Sequence, residues 1–477
     1  MIRRLVLAAG PLAIAAVVLL PAPAGMAEPA WRVAGLAVWM ALWWLTGVIP
    51  LEATALIPIV LLPGLGVRRV GEVTAAYGDP VIFLFLGGFL LAATLERWEL
   101  HRRFALGVVR AIGADAPRVI LAFLLASGFA SMWISNTATA VMMLPIATAV
   151  AHGAERAGGG GMGRGFPTAL LLAVAYGASI GGVATLIGTP PNAIFAASAR
   201  ELVGTDVSFG DWIVVGLPTA ALMIGACWLI LVRMFRVKGE LPGLMDRVRH
   251  EAAALGPIRG GERFVMAVFA ATALAWVFRE PKAIAGLRVP GLADVVPGLS
   301  DTGIAVAAGL LLFAVPLPRA RFATALDWET ARGVPWGILL LFGGGLALAG
   351  AFESSGLTEW TGRQLEGLRG APLPVVLLAC ATLFVFLTEL TSNTATAALG
   401  MPLLAALGVG LGLPPLPLMA VGALGASMAF MLPVATPPNA IVFGSGMVPP
   451  GEMARAGLVL NFTSIAVVTG VVWVWIS

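Results

Sequence analysis

Two short polar phrases, each written twice, constrain this chain more than any other feature. Ser135-Asn136-Thr137-Ala138-Thr139-Ala140 recurs letter for letter as Ser392-Asn393-Thr394-Ala395-Thr396-Ala397, and each copy is followed at the same distance by a proline, Pro145 and Pro402. Downstream, Thr189-Pro190-Pro191-Asn192-Ala193-Ile194 recurs as Thr436-Pro437-Pro438-Asn439-Ala440-Ile441. Identical hexapeptides in the same order imply an internal duplication. The first pair lies 257 positions apart and the second 247; the 257 offset also aligns Gly87-Gly88 with Gly344-Gly345 and Glu96 with Glu353. The duplication therefore extends well beyond the phrases.

The phrases sit in an apolar background. With 59% hydrophobic and 11% charged residues, and a mean hydropathy of +0.95, the chain is excluded from the ordinary soluble class. Stretches such as Leu36 to Leu45, Val214 to Val232 and Leu458 to Ile476 reach, with their flanks, the roughly 20 residues of a spanning helix. Backbone groups in lipid must be paired internally, and long unbroken apolar runs without alternation select helices over a barrel. The expected fold is an all-α polytopic membrane protein in contact with the lipid bilayer. Cys227 and Cys380 lie in apolar segments and are assigned no chemistry. His101, His152 and His250 fall in polar connections, and no nucleic-acid partner is expected.

Met1-Ile2-Arg3-Arg4 and the apolar run Leu5 to Leu20 form a first transmembrane helix, although Gly25-Met26-Ala27 would also suit signal cleavage. Residues 1–30 are placed outside the duplication, 31–260 in a first repeat and 261–477 in a second. Each repeat holds a re-entrant helical hairpin, at 116–149 and 373–407, whose halves are read as too short to cross alone. Each also holds a broken helix, at 168–199 and 416–447. Gly158 to Gly165 reads as a glycine-rich linker. Five spans plus one hairpin per repeat is an odd number, so the copies insert upside down to one another, about eleven transmembrane helices in all. The positive-inside rule puts the amino terminus and the 236–263 connection in the cytoplasm and the carboxyl terminus outside.

The chemistry follows from what the phrases place in mid-membrane. Ser135 and Ser392 are good N-caps for the half-helices that follow, whose free N–H groups form an anion site without Lys or Arg. Ser, Asn and Thr side chains add donors for carboxylate oxygens, and their own oxygens suit a hard cation. The breaks are read at Thr189, Pro190, Pro191 and Asn192 and at Pro437, Pro438 and Asn439, freeing the carbonyls of Leu186, Ile187, Pro433 and Val434 as cation ligands. Intramembrane carboxylates are nearly absent, which favours sodium over a proton relay. Glu389 is the exception, read as a hydrogen-bonding support rather than a ligand.

Blander readings exist for each element. Isolated polar residues can simply glue helices, and a proline pair can be a kink; matched copies argue against both. Gly87-Gly88 and Gly343-Gly344-Gly345 read as close helix packing. Gly177-Ala178-Ser179-Ile180-Gly181 fits the nucleophile-elbow pattern, but it lies in a helix, its counterpart Gly425-Ala426-Ser427-Met428-Ala429 loses the last glycine, and His152 is the only nearby candidate base, so no enzyme is expected.

At these residues the sequence resembles the divalent anion/sodium symporter family, which includes the bacterial INDY-type carboxylate transporters and the mammalian sodium-coupled dicarboxylate and citrate carriers. The resemblance covers nearly the whole chain. It implies a homodimer whose transport domains carry substrate across a bacterial-type inner membrane by an elevator motion, with Na+ as the coupling ion. It implies a first sodium site from Ser131, Ser135, Asn136 and the carbonyl of Gly188, and a second from Thr388, Asn393 and the carbonyl of Ala435. Substrate carboxylates would meet Ser135, Asn136, Thr137, Ser392, Asn393 and Thr394, with Thr436 and Pro437 nearby. Ala435 stands where the first repeat has Gly188, and the stretch from Gly425 to Thr436 is one residue shorter than its partner, so the two sites are not identical.

The expected function is sodium-coupled symport of di- or tricarboxylates such as succinate, malate, fumarate or citrate. A sodium-independent exchanger and a sulfate or other inorganic-anion transporter are the alternatives on the same fold, and a membrane hydrolase or a channel those from other classes.

Overall fold

Peptide groups in hydrocarbon must bond within their own segment, and the apolar runs do form helices. The computed structural model describes residues 2–156, 165–241, 244–284, 287–317, 321–364, 367 and 370–476. Apart from Gly165, the expected linker lies outside these residues. Among the described residues, seven helices are long and apolar enough to cross a membrane, and six further apolar segments run to 10–17 residues. A short antiparallel hairpin pairs Lys282–Ile284 with Leu287–Val289.

The two phrases mark the same architecture in each half. The first hairpin consists of Ala116–Ser131 and Asn136–Arg156, the second of Leu373–Thr388 and Asn393–Leu411. The expectation that every arm is too short to span is corrected. The first arms have 16 residues each, about 24 Å of helix. The second arms have 21 and 19 and reach membrane length, because their helices run on past residues 149 and 407. His152 accordingly lies within a helix rather than in a polar connection.

The broken helices are Phe166–Gly182 followed by Pro190–Val203, and Pro415–Ala426 followed by Pro437–Gly444. The double prolines are therefore not the breaks. They occupy the first turn of the second helix, where a missing N–H costs nothing and the fixed φ suits the helix. Asn192, Pro438 and Asn439 are helical. The unwound backbone lies upstream, at residues 183–189 and 427–436.

Helix Phe166–Gly182 is the centre of the fold, with all but one residue buried. It packs on Ala116–Ser131 through glycines: a Cβ on Gly181 would lie 2.0 Å from the Gly128 carbonyl oxygen, and one on Gly177 2.9 Å from that of Leu124. Because the obstacle is backbone, Gly181→Ala is expected to force the helices apart, at a cost of about 1–3 kcal/mol or more. A thermal melt of the purified variant checks this; an unchanged midpoint would show that the crossing is not tight.

The halves interlock. Asn136–Arg156 packs against Pro437–Gly444, and Pro190–Val203 against Asn393–Leu411, so each hairpin lies against the other half's broken helix. Gly87 meets Ala305 and Gly344 meets Ala55 at close crossings, as the glycine runs suggested. Two linking helices, Leu100–Ile112 and Leu357–Gln364, begin 257 positions apart and pack on Ala116–Ser131 and Asn393–Leu411.

Candidate functional site

At the turn of each hairpin a hydroxyl meets an asparagine five residues on. Ser131 Oγ lies 2.6 Å from Asn136 Oδ1, and Thr388 Oγ1 lies 2.7 Å from Asn393 Oδ1. The two contacts repeat at the 257 offset. Around the first, Gly182 allows a close approach: a Cβ there would stand 2.6 Å from Asn136 Oδ1 and 3.2 Å from the Gly188 carbonyl oxygen, and one on Gly188 2.4 Å from the Gly182 oxygen. Ser131 and Asn136 are thus in contact, and Asn136 and the Gly188 carbonyl both lie around Gly182. At the 247 offset this glycine pair becomes Ala429 and Ala435, both buried in the second unwound segment. That segment must pack differently, because alanine cannot repeat contacts of 2.4 to 2.6 Å.

The capping expectation for Ser135 and Ser392 holds in one copy only. Ser135 Oγ accepts from Ala138 N at 3.2 Å, whereas Ser392 makes no side-chain cap bond. Conversely, Thr436 Oγ1 accepts from Asn439 N at 3.3 Å, whereas Thr189 makes none. Thr137 is exposed and Thr394 half-buried, each in the first turn of its second arm. Pro437 opens the last short helix beside Thr436.

The unwound segments are held by residues whose roles the sequence reading missed. Asn192 Nδ2 donates to the carbonyls of Gly182 at 3.1 Å and Thr185 at 2.7 Å. Asn439 Nδ2 donates to the equivalent carbonyls of Ala429 at 3.3 Å and Leu432 at 3.1 Å. The two amides therefore occupy the carbonyls of Gly182, Thr185, Ala429 and Leu432, apart from those of Leu186, Ile187, Pro433 and Val434, whose i+4 partners are prolines without an N–H. The signal was present: the amide follows the double proline in each repeated phrase, at a position from which it can reach back over its own helix start. Trp212 Nε1 takes the Val183 oxygen at 2.9 Å.

Glu389 plays a larger part than a generic support. It is buried, and Oε1 accepts from Phe430 N at 2.7 Å, Met431 N at 2.9 Å and Asn461 Nδ2 at 2.8 Å, while Oε2 accepts from Leu432 N at 3.1 Å. One carboxylate thus orders three successive peptides of the second unwound segment. Tyr176 closes the same segment across the duplication, donating toward the Phe430 oxygen at 2.9 Å. An amide at position 461 inside the apolar run from Leu458 was the readable sign of Glu389's partner.

Among the described residues, no group of three or more His, Cys, Asp or Glu is placed to hold a metal. The groups that meet at the hairpin turns offer neutral oxygens, donors that suit a hard cation better than a transition metal. Ser179 is buried within helix Phe166–Gly182, with no nucleophile elbow around it.

Known membrane transporters are similar to the chain along most of its length. The family model described as "Sodium:sulfate symporter transmembrane region" matches residues 3–477. A protein of Staphylococcus saprophyticus named sodium-dependent dicarboxylate transporter SdcS is 40% identical over 473 residues, 97% of this chain and 89% of the relative. Its namesake in Staphylococcus aureus is 40% identical over 448 residues, 92% of this chain and 85% of the relative. Two solved structures are similar in fold. The YdaH transporter of Alcanivorax borkumensis has a TM-score of 0.54 at 17% identity, covering 93% of this chain and 98% of that one. MtrF of Neisseria gonorrhoeae, described with a class of antimetabolite efflux pumps, has a TM-score of 0.57 at 13% identity, covering 100% and 97%. Matched along its length by the family model and by relatives at this identity, the chain belongs to the sodium:sulfate symporter family, a family of membrane transporters and not of enzymes.

Proposed function

We propose that this protein couples the inward movement of Na+ to uptake of a di- or tricarboxylate of the succinate, malate, fumarate or citrate class. The observation that carries the reading is the matched hydroxyl–amide contact at each hairpin turn, Ser131 with Asn136 and Thr388 with Asn393. Thr388 has one hydroxyl proton but two acceptors at 2.7 Å, Asn393 Oδ1 and the Ala426 oxygen. Donating to Ala426 turns its lone pair, with that of Asn393, toward a cation. Ser135 and the Gly188 carbonyl complete the first sodium site and the Ala435 carbonyl the second. The substrate carboxylates then lie against the first turns of the second arms, at Ser135, Asn136 and Thr137 and at Ser392, Asn393 and Thr394, with Thr436 and Pro437 beside them. The uncapped Ser392 leaves its hydroxyl and the N–H groups after it available. Sodium beside a carboxylate offsets the cost of burying either charge alone. The relatives' name, sodium-dependent dicarboxylate transporter, supports this substrate class.

The same reading takes residues 31–260 and 261–477 as inverted repeats after an initial helix, in a homodimer working by an elevator motion. The protein sits in a bacterial inner membrane with its amino terminus inside and its carboxyl terminus outside. Proteoliposome uptake of labelled succinate, citrate and sulfate, with and without an inward sodium gradient, tests the function. Carboxylate uptake is expected to collapse without the gradient. Sodium-independent uptake that needs internal carboxylate would replace symport by exchange. Uptake of sulfate alone, the anion in the family's description, would move the substrate to inorganic anions.

A further inference from the structure

Away from the repeated phrases, five arginines, Arg97, Arg102, Arg103, Arg259 and Arg321, wall one cavity of about 290 Å3. It lies where helix Pro80–Arg97, the first linking helix and the start of Gly260–Val277 meet the segment at 321–327. The duplicated architecture does not require these charges. At the 257 offset Arg97, Arg102 and Arg103 correspond to Ser354, Glu359 and Trp360. The backbone tells the same story. Glu99 adopts φ 53°, where the second copy places Gly356 at φ 77°. A side chain in the left-handed region carries strain that glycine avoids. What it secures is a carboxylate 3.7 Å from Arg102 and 3.5 Å from Arg321.

Accounting for the charges leaves guanidinium groups unspent. Arg103 is engaged at all three of its nitrogens, by Glu262 at 2.8 Å and by the Leu255 and Gly256 carbonyls, both at 2.7 Å. Arg102 also pairs with Glu251 and Arg97 with Asp327, so five guanidiniums face four carboxylates. Arg97 stacks 4.0 Å over Phe322, with Arg321 5.1 Å from the same ring. Arg97 Nη1 is buried without a hydrogen-bond partner, and Arg259 has no ion pair among the described residues. A buried guanidinium N–H left unpaired is costly unless an acceptor completes it.

We propose that this cavity binds a phosphate group, as an anionic lipid headgroup or as the free ion. Arginines converging from separate elements fit a tetrahedral oxyanion, which presents oxygens in several directions, better than a planar carboxylate with two. The volume is at the small end for ligand pockets, enough for a phosphate with bridging water. Basic pockets beside membrane spans engage lipid phosphates in this way. Since the first linking helix packs on the first hairpin, an occupied cavity pins that helix.

The test uses full-length protein in neutral detergent, melted in sodium phosphate and in sodium chloride at matched sodium and ionic strength. A second arm uses nanodiscs of phosphatidylcholine with or without phosphatidylglycerol, with retained lipid counted by native mass spectrometry. Either phosphate raises the melting midpoint by several degrees, or one phosphatidylglycerol per protomer is retained; which arm responds identifies the source. In both, Arg259→Gln with Arg321→Gln removes the effect, weakening binding at least about tenfold. These two side chains are exposed, and the double variant's melt in chloride verifies its folding. Asn136→Ala keeps the effect, separating this cavity from the transport site. No response in either arm, or equal responses from wild type and the arginine variant, overturns the proposal and leaves the arginines as topology signals only.

Discussion

Sodium-driven uptake is expected to fall at least about 100-fold in Asn136→Ala and, separately, in Asn393→Ala, since each removes an oxygen of a proposed cation site and its neighbours' orienting partner. Each asparagine oxygen lies within 2.7 Å of a hydroxyl on the preceding arm. Alanine removes that contact, although Thr388 keeps the Ala426 oxygen at 2.7 Å, and leaves the proposed cation one ligand short. The variants should fold, because Asn136 and Asn393 start their helices and leave the glycine crossings untouched. The measurement is initial uptake as a function of sodium concentration, with a melt of each variant as control. A raised sodium requirement in both places both asparagines at cation sites. Normal uptake in either variant would remove that residue from the site.

Glu389→Ala is expected to abolish uptake and to lower the melting temperature, which no change confined to a ligand should do. It strips the acceptor from the buried Phe430 N–H, from the part-buried N–H groups of Met431 and Leu432, and from the buried Asn461 amide. A buried donor left unsatisfied costs about 1–3 kcal/mol, and four that share one acceptor are coupled, so several kcal/mol are at stake rather than a simple sum. Glu389→Gln separates shape from charge. Its oxygen can replace Oε1, but its NH2 then faces the Leu432 N–H, donor against donor. Intermediate uptake with a smaller drop in melting temperature is the expected outcome. Wild-type uptake and melting in Glu389→Ala would show that the unwound segment holds its shape without the carboxylate.

The asymmetry between the halves bears on both experiments. In the first half Gly182 and Gly188 bring the unwound backbone against Asn136; in the second, two alanines keep it further off and Glu389 ties it down. The first site is therefore shaped by close backbone approach and the second by a side-chain clamp. Changes at Glu389 should act on the second site before the first.

Some of this was legible in the residues and some was not. The paired phrases located both hairpin turns, because a polar, helix-starting word in an apolar run has few alternatives once backbone groups must be satisfied in lipid. The prolines misled, because Pro signals both the end of one helix and the first turn of the next, and only the chain's path distinguishes them. The arm lengths misled for a similar reason: hydropathy falls before a helix ends, as it does around His152.

What the residue order settled was the class of fold and the positions of the repeated polar phrases at the hairpin turns, since these depend on segment length and local pattern. What required the folded chain was everything carried by distant partners. Tyr176 reaches Phe430 across 254 positions, Asn461 reaches Glu389 across 72, and five arginines from four segments meet in one cavity. Hydrogen bonds and ion pairs act over a few ångströms, and no local pattern reports which residues so far apart along the chain will come that close.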